Sequence, residues 1–128
     1  PRRRQQPAAD PRPASDISGY HAHIYYRNDA EKAEAAVLRR QLTAGFEVEP
    51  GRWRDEPVGP HPLPMYQIAF AADVFAALVP WLMLNRRGLT ILVHPRTGED
   101  VPDHETYPLW LGEKLPLDVG FLRRFASA

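Results

Sequence analysis

Tyr20-His21-Ala22-His23-Ile24-Tyr25-Tyr26 is the stretch whose reading decides the fold. Histidine alternating with Tyr, Ala and Ile is a strand pattern, because successive side chains of a strand point to opposite faces. His21, His23 and Tyr25 therefore share one face, and Ala22, Ile24 and Tyr26 the other. At a rise of roughly 3.3 Å per residue the two imidazoles stand about 7 Å apart, within reach of one metal ion. The other histidines, His61, His94 and His104, fall outside the predicted helices. A fold that brings them to the same end of a sheet would build a metal site.

Upstream of this strand, residues 1–16 hold Pro1, Pro7, Pro11 and Pro13 with four arginines and no large apolar residue. Such a segment cannot bury enough surface to offset its ordering entropy, so it is expected to be a disordered tail ahead of a domain at 17–128. Downstream, Asn28 to Gly45 reads as a helix. Asn28 is its cap, Glu31 completes a capping box, Ala30, Ala33, Val37, Leu38 and Leu42 form an apolar stripe, and Gly45 is the stop. Phe46 to Glu49 alternates like an edge strand, resuming near Arg52-Trp53-Arg54. The prolines around Gly59-Pro60-His61-Pro62 make a stiff loop, and Met65 to Phe70 is a third strand that buries Tyr66, Ile68 and Phe70. Asp73 is expected to cap a second helix that reaches Arg86 with a kink at Pro80 and a stop at Gly88. Leu89 to His94 is a fourth strand. A turn follows at Arg96–Asp100, then Asp103-His104-Glu105, Trp110-Leu111-Gly112 and a short helix near Pro116–Phe125.

A chain of 128 residues suits one domain with a substantial core. Sixteen basic and sixteen acidic residues cancel, which removes any electrostatic case for nucleic acid or an anionic membrane. With no cysteine there is no disulfide, thiolate ligand or cysteine nucleophile. A metal must rely on imidazole and carboxylate, which suit iron, manganese, zinc or copper. The apolar run Val74–Leu84 is too short for a bilayer and no apolar leader follows the N-terminal arginines, so a cytoplasmic location is expected.

The order β-α-β-β-α-β is the split arrangement of ferredoxin-like α+β folds. The expected strand order is 4-1-3-2, with strands one and three central and parallel and strand four antiparallel beside strand one. The starts of strands one and three and the end of strand four then meet, so His21, His61 and His94 converge at one edge of the sheet, with His104 folding back over it. Helices cover one face only. The other face calls for a terminal segment or a second subunit, and Trp110 and Leu111 point to a homodimer.

His21-Ala22-His23, Gly59-Pro60-His61-Pro62 before a Met-aromatic-Gln strand, Leu92-Val93-His94-Pro95-Arg96-Thr97-Gly98, Asp103-His104 and Trp110-Leu111-Gly112 occur in that order. Together they resemble the DOPA 4,5-dioxygenase family over about residues 17–122. The resemblance implies a ferredoxin-like domain and extradiol opening of a catechol such as DOPA by O₂ at a non-haem Fe(II). Such chemistry needs about three ligands in one hemisphere and open positions beside them. His21, His23 and His94 are the expected ligands, because two share a strand face and the third ends the neighbouring strand. His61, stiffened by Pro60 and Pro62, and His104, beside Asp103 and Glu105, are the expected acid/base groups, and Tyr25 is expected either to hydrogen-bond substrate or to pack as a buried residue. A neighbouring carboxylate would raise the pKa of His104. Each histidine keeps a structural alternative: a pair on a semi-polar sheet face, a cap on the Pro-Arg-Thr-Gly turn, or a solvated loop or turn residue. Trp53, Trp81 and Trp110 read as core. Arg52, Arg54 and Arg96 could bind a substrate carboxylate, although lone arginines usually face solvent. The alternative function is a non-enzymatic, dimeric ferredoxin-like domain that binds a metal or ligand.

Overall fold

The computed structural model describes residues 10–126, arranged as β1 (Gly19–Tyr25), α1 (Asp29–Gly45), β2 (Glu49–Pro50), β3 (Met65–Phe70), α2 (Phe75–Asn85), β4 (Ile91–Arg96), α3 (Asp100–Glu105), β5 (Leu109–Leu111) and α4 (Val119–Ala126). The five strands form one antiparallel sheet in the order β2-β3-β1-β4-β5, an α+β sandwich of the ferredoxin-like kind.

Two features of the sheet differ from expectation. β1 and β3 are antiparallel, pairing Tyr20 with Phe70 and Tyr25 with Met65. The α1 crossover returns the chain parallel to β1, and the β2–β3 connection reverses it once more. The start of β3 therefore lies at the end of β1, not at its beginning. The second difference is a fifth strand: Leu109–Leu111 pairs with Ile91–Val93 and makes β4 an interior strand.

Local chemistry explains most boundaries. The Asn28 side chain accepts from the Glu31 N–H at 2.9 Å, and Glu31 reaches back one residue further than expected, to the Arg27 N–H. Ala30 and Ala33 are exposed, so the buried stripe of α1 begins at Ala35 and continues through Leu38 and Leu42. β2 is only Glu49–Pro50. Phe46 and Val48 pack against the core instead of pairing, and Pro50 has no N–H for a ladder. Asp73 makes no cap and lies in a 3-10 turn, Ala72–Val74, ahead of α2. Pro80 is accommodated inside α2 on its exposed side, and Arg87 and Gly88 leave the helix with φ of 58° and 77°.

Of the segment expected to be a tail, residues 1–9 lie outside the described residues. Ala14–Asp16 form a 3-10 turn, and the Arg12 guanidinium donates to the Tyr107 hydroxyl at 2.9 Å and pairs with Asp16.

One face of the sheet, bearing Ala22, Ile24, Tyr66, Ile68, Ile91 and Val93, packs against Leu38 and Leu42 of α1 and Leu78, Val79 and Leu82 of α2. Burying each large aliphatic side chain there contributes about 1.5–3 kcal/mol. The opposite face carries a smaller cluster, Tyr25, Met65 and Leu92, capped by Leu115 from the segment between β5 and α4. That segment is tied down where the Asp118 N–H donates to the Pro60 carbonyl at 2.8 Å, and Arg123 of α4 pairs with Glu105 of α3. Leu111 is buried in the first cluster, and Trp110, half-buried, packs against the second.

Candidate metal centre

The second sheet face is built from alternate residues of three strands. His21 and His23 stand on β1; His94 on β4 is the direct cross-strand partner of His21. His23 faces Gln67 of β3 on one side and Leu92 of β4 on the other. Ring centroids of His21 and His94 lie 5.2 Å apart, and those of His23 and His94 also 5.2 Å.

His61 arrives by a route different from that expected. The β1–β3 pairing puts its loop beside Tyr25, at the far end of β1 from His21. There the His61 N–H closes a turn onto the Val58 carbonyl, with Gly59 supplying the φ of +60° that the turn requires. The ring reaches back to sit 4.1 Å from that of His23, and its Nδ1 lies 2.7 Å from the buried Tyr25 hydroxyl. His104 is in a helix, contrary to the sequence reading. The six-residue α3 starts directly after the turn and carries the ring to 4.0 Å from that of His94. Residues far apart in the chain thus form one five-imidazole cluster. His21, His23 and His94 offer ligand atoms all within 4.8 Å of one another, and so do His23, His61 and His104.

Hydrogen bonds fix several ring orientations. His94 donates Nδ1–H to the Pro95 carbonyl at 2.9 Å, and His104 donates Nδ1–H to the Asp100 carbonyl at 2.8 Å. With Nδ1 committed to the backbone, each ring presents Nε2 to the cluster, the orientation in which imidazoles bind metals. The Nε2 atoms of His23 and His94 are 3.2 Å apart. Two nitrogens each about 2.1 Å from one cation, at a right angle, would be about 3 Å apart. The buried Nδ1 of His23 has no partner. The donor set fits a divalent transition metal.

Burial favours the neutral form of His21, His23, His61 and His94, as ligation requires. It pushes His94 and His61 down to about 3, each helped by the neighbouring charge of His104. His21 is lowered to about 4 by burial and then by the charge of Arg96. His23 lies well below its usual value because it is enclosed and ringed by other imidazoles. Burial raises the Tyr25 hydroxyl above its ordinary value, so it stays protonated. The carboxylates expected to raise the pKa of His104 are engaged elsewhere. Asp103 accepts from both the N–H and the hydroxyl of Thr97, at 2.8 and 2.6 Å, and Glu105 pairs with Arg123. These bonds hold α3 against the end of β4. They position His104 and supply it with no proton partner.

A cavity of about 360 Å³ opens over the cluster, bounded also by Gln67, Arg96, Asp100 and Leu122. That volume suits a small ligand. Gln67 was legible as the polar position on the outward side of β3. Leu122 was not, because nothing in its local sequence tells where α4 docks.

Among the described residues no helix is long and apolar enough to cross a membrane. Comparison with known proteins gives one consistent answer. The Dopa 4,5-dioxygenase family profile matches residues 20–121. A DOPA 4,5-dioxygenase of Amanita muscaria is 38% identical over 116 residues, which are 84% of this chain and 51% of that protein. An uncharacterised 21.2 kDa protein of Botryotinia fuckeliana is 37% identical over 122 residues, 86% of this chain and 67% of the relative. The chain thus spans about half the length of the Amanita protein. A crystal structure from Nostoc punctiforme PCC 73102, presented as that of a candidate dioxygenase, superimposes with a TM-score of 0.87 at 53% identity. It covers 89% of this chain and 98% of its own. With the profile spanning most of the described residues, the chain belongs to the Dopa 4,5-dioxygenase family.

Proposed function

We propose that this chain is a non-haem Fe(II)-dependent extradiol dioxygenase that opens the ring of DOPA or a related catechol. The observation that carries the proposal is the set of imidazoles converging on one sheet face, with the Nε2 atoms of His23 and His94 3.2 Å apart beneath an open cavity. His21, His23 and His94 would hold the ion. When bound, ferrous iron would supply the redox centre at which catechol and O₂ meet.

The remaining residues handle protons and water. A catechol must lose a proton on binding. His61, held between Pro60 and Pro62 with its Nδ1 against the Tyr25 hydroxyl, is the first acid/base candidate; burial disfavours its charged form, so it would have to relay the proton to a neighbour instead of keeping it. His104 is the second acid/base candidate, held at the cavity wall by its own backbone bond to Asp100. Tyr25, itself buried, stacks on Trp110 at 6.2 Å.

Anaerobic loading with Fe(II), followed by O₂ and a panel of catechols, tests the reading. A yellow ring-opened product is expected; tight metal binding with no turnover of any catechol would leave the non-enzymatic alternative. Cytoplasmic location and a homodimer remain part of the proposal. Support for pairing comes from the uncharged outer side of α2, where Met83 is 54% and Leu84 86% exposed. A monomer mass by light scattering at micromolar concentration would end the dimer.

A further inference from the structure

The metal cavity contains one strong cation that the chemistry above does not use. Arg96 follows His94 on the same face of β4, roughly 7 Å along the strand, and lines the cavity mouth. Its cross-strand partner is Gly19, which has no side chain to meet it. Other arginines are engaged: Arg12, Arg27, Arg87, Arg123 and Arg124 pair with carboxylates, and Arg39 lies over the Trp53 and Tyr66 rings. Among the described residues no carboxylate pairs with Arg96. Arg40, Arg52 and Arg54 are similarly unpaired there, but none of them borders the cavity.

Neither acid at the cavity forms an ion pair with Arg96. Asp103 spends both oxygens on Thr97. Asp100, in the first turn of α3, shares the mouth, so the field there is mixed and anions are not drawn in indiscriminately. Recognition by Arg96 must be local, through the planar fork that matches a carboxylate with two parallel N–H···O bonds.

We propose that Arg96 is the specificity-determining residue of the site and binds the carboxylate of a catechol that carries an anionic side chain. The inference rests on the ring-cleaving reading and names the residue that selects among its catechols. His94 and Arg96 are alternate residues of one strand, so the sheet fixes their backbone separation, and a carboxylate held at Arg96 leaves the ring within reach of the imidazoles.

The test compares homoprotocatechuate, which bears a carboxylate, with unsubstituted catechol in the Fe(II)-loaded chain and its Arg96→Gln and Arg96→Lys variants. The ratio of kcat/KM for the anionic over the neutral substrate should fall about 10- to 100-fold in Arg96→Gln, the range of a charge-assisted hydrogen bond. The loss should sit in KM, with Arg96→Lys recovering part of it by keeping the charge without the fork. Calorimetric titration of homoprotocatechuate into the zinc-loaded protein should show the same weakening without turnover. Ring cleavage with a ratio unchanged in Arg96→Gln overturns the role of Arg96 and leaves the proposed activity standing. Failure to cleave any catechol overturns the activity, and calorimetry then decides: undetectable or undiminished binding overturns the role of Arg96, and a tenfold loss supports it.

Discussion

Ala22 and Ile24 point into a core closed by α1 and α2, whereas His21 and His23, interleaved with them on the same strand, face a cavity. Both faces are largely buried, but by different means. The first is filled by side chains that gain from leaving water. The second collects imidazoles whose charged forms are excluded by burial, at the expense of an unpartnered Nδ1 on His23. The difference teaches that stability and chemistry are divided between the two faces of one sheet. Substitutions should therefore separate them.

The largest effect is expected at the ligands. Replacing His21, His23 or His94 with Ala should abolish metal retention through a desalting column while far-ultraviolet circular dichroism stays native. Full occupancy in two of the three variants would refute the ligand set, and His61 would be the first substitute.

Next come the proton-transfer groups. His61→Ala or His104→Ala should retain iron and reduce turnover by about two to four orders of magnitude in at least one case. If both turn over a catechol like the parent, the proton passes to water or to Tyr25.

The core face should respond in the opposite sense. Ile24→Ala, at a fully buried position, should lower unfolding stability by about 2–5 kcal/mol in a denaturant titration and leave metal stoichiometry unchanged well below the unfolding midpoint. Loss of metal there without loss of stability would show that the faces are not separable.

The last expected effect is on pH dependence. In the metal-free protein His94 and His61 sit near 3 and His21 near 4, against 6.5 when unfolded. Between those values the unfolded chain binds more protons than the folded one. The stability tied to these neutral rings is therefore fully present above about pH 6.5 and is lost as the pH falls toward 3 to 4. Thermal melts from pH 7.5 to 4.5 check this. A midpoint that held constant or rose on acidification would contradict the buried, neutral imidazoles.

What the sequence determined by itself was local and periodic. Alternation in residues 20–26 and 65–70 sorted side chains onto two faces, Asn28 marked the start of α1, and spaced His, Pro and Gly motifs identified the family. Those signals act over a few residues, where backbone geometry alone decides the outcome. Only the tertiary structure decided the direction of β3 against β1, and with it that His61 meets Tyr25 at the far end of the strand. It alone placed His104 on a short helix braced by the Thr97–Asp103 bonds, added β5 to the sheet edge, and laid Leu122 and Arg96 along the cavity. The physical reason is that partners distant in the chain are chosen by which surfaces bury together, and residue periodicity carries no record of that choice.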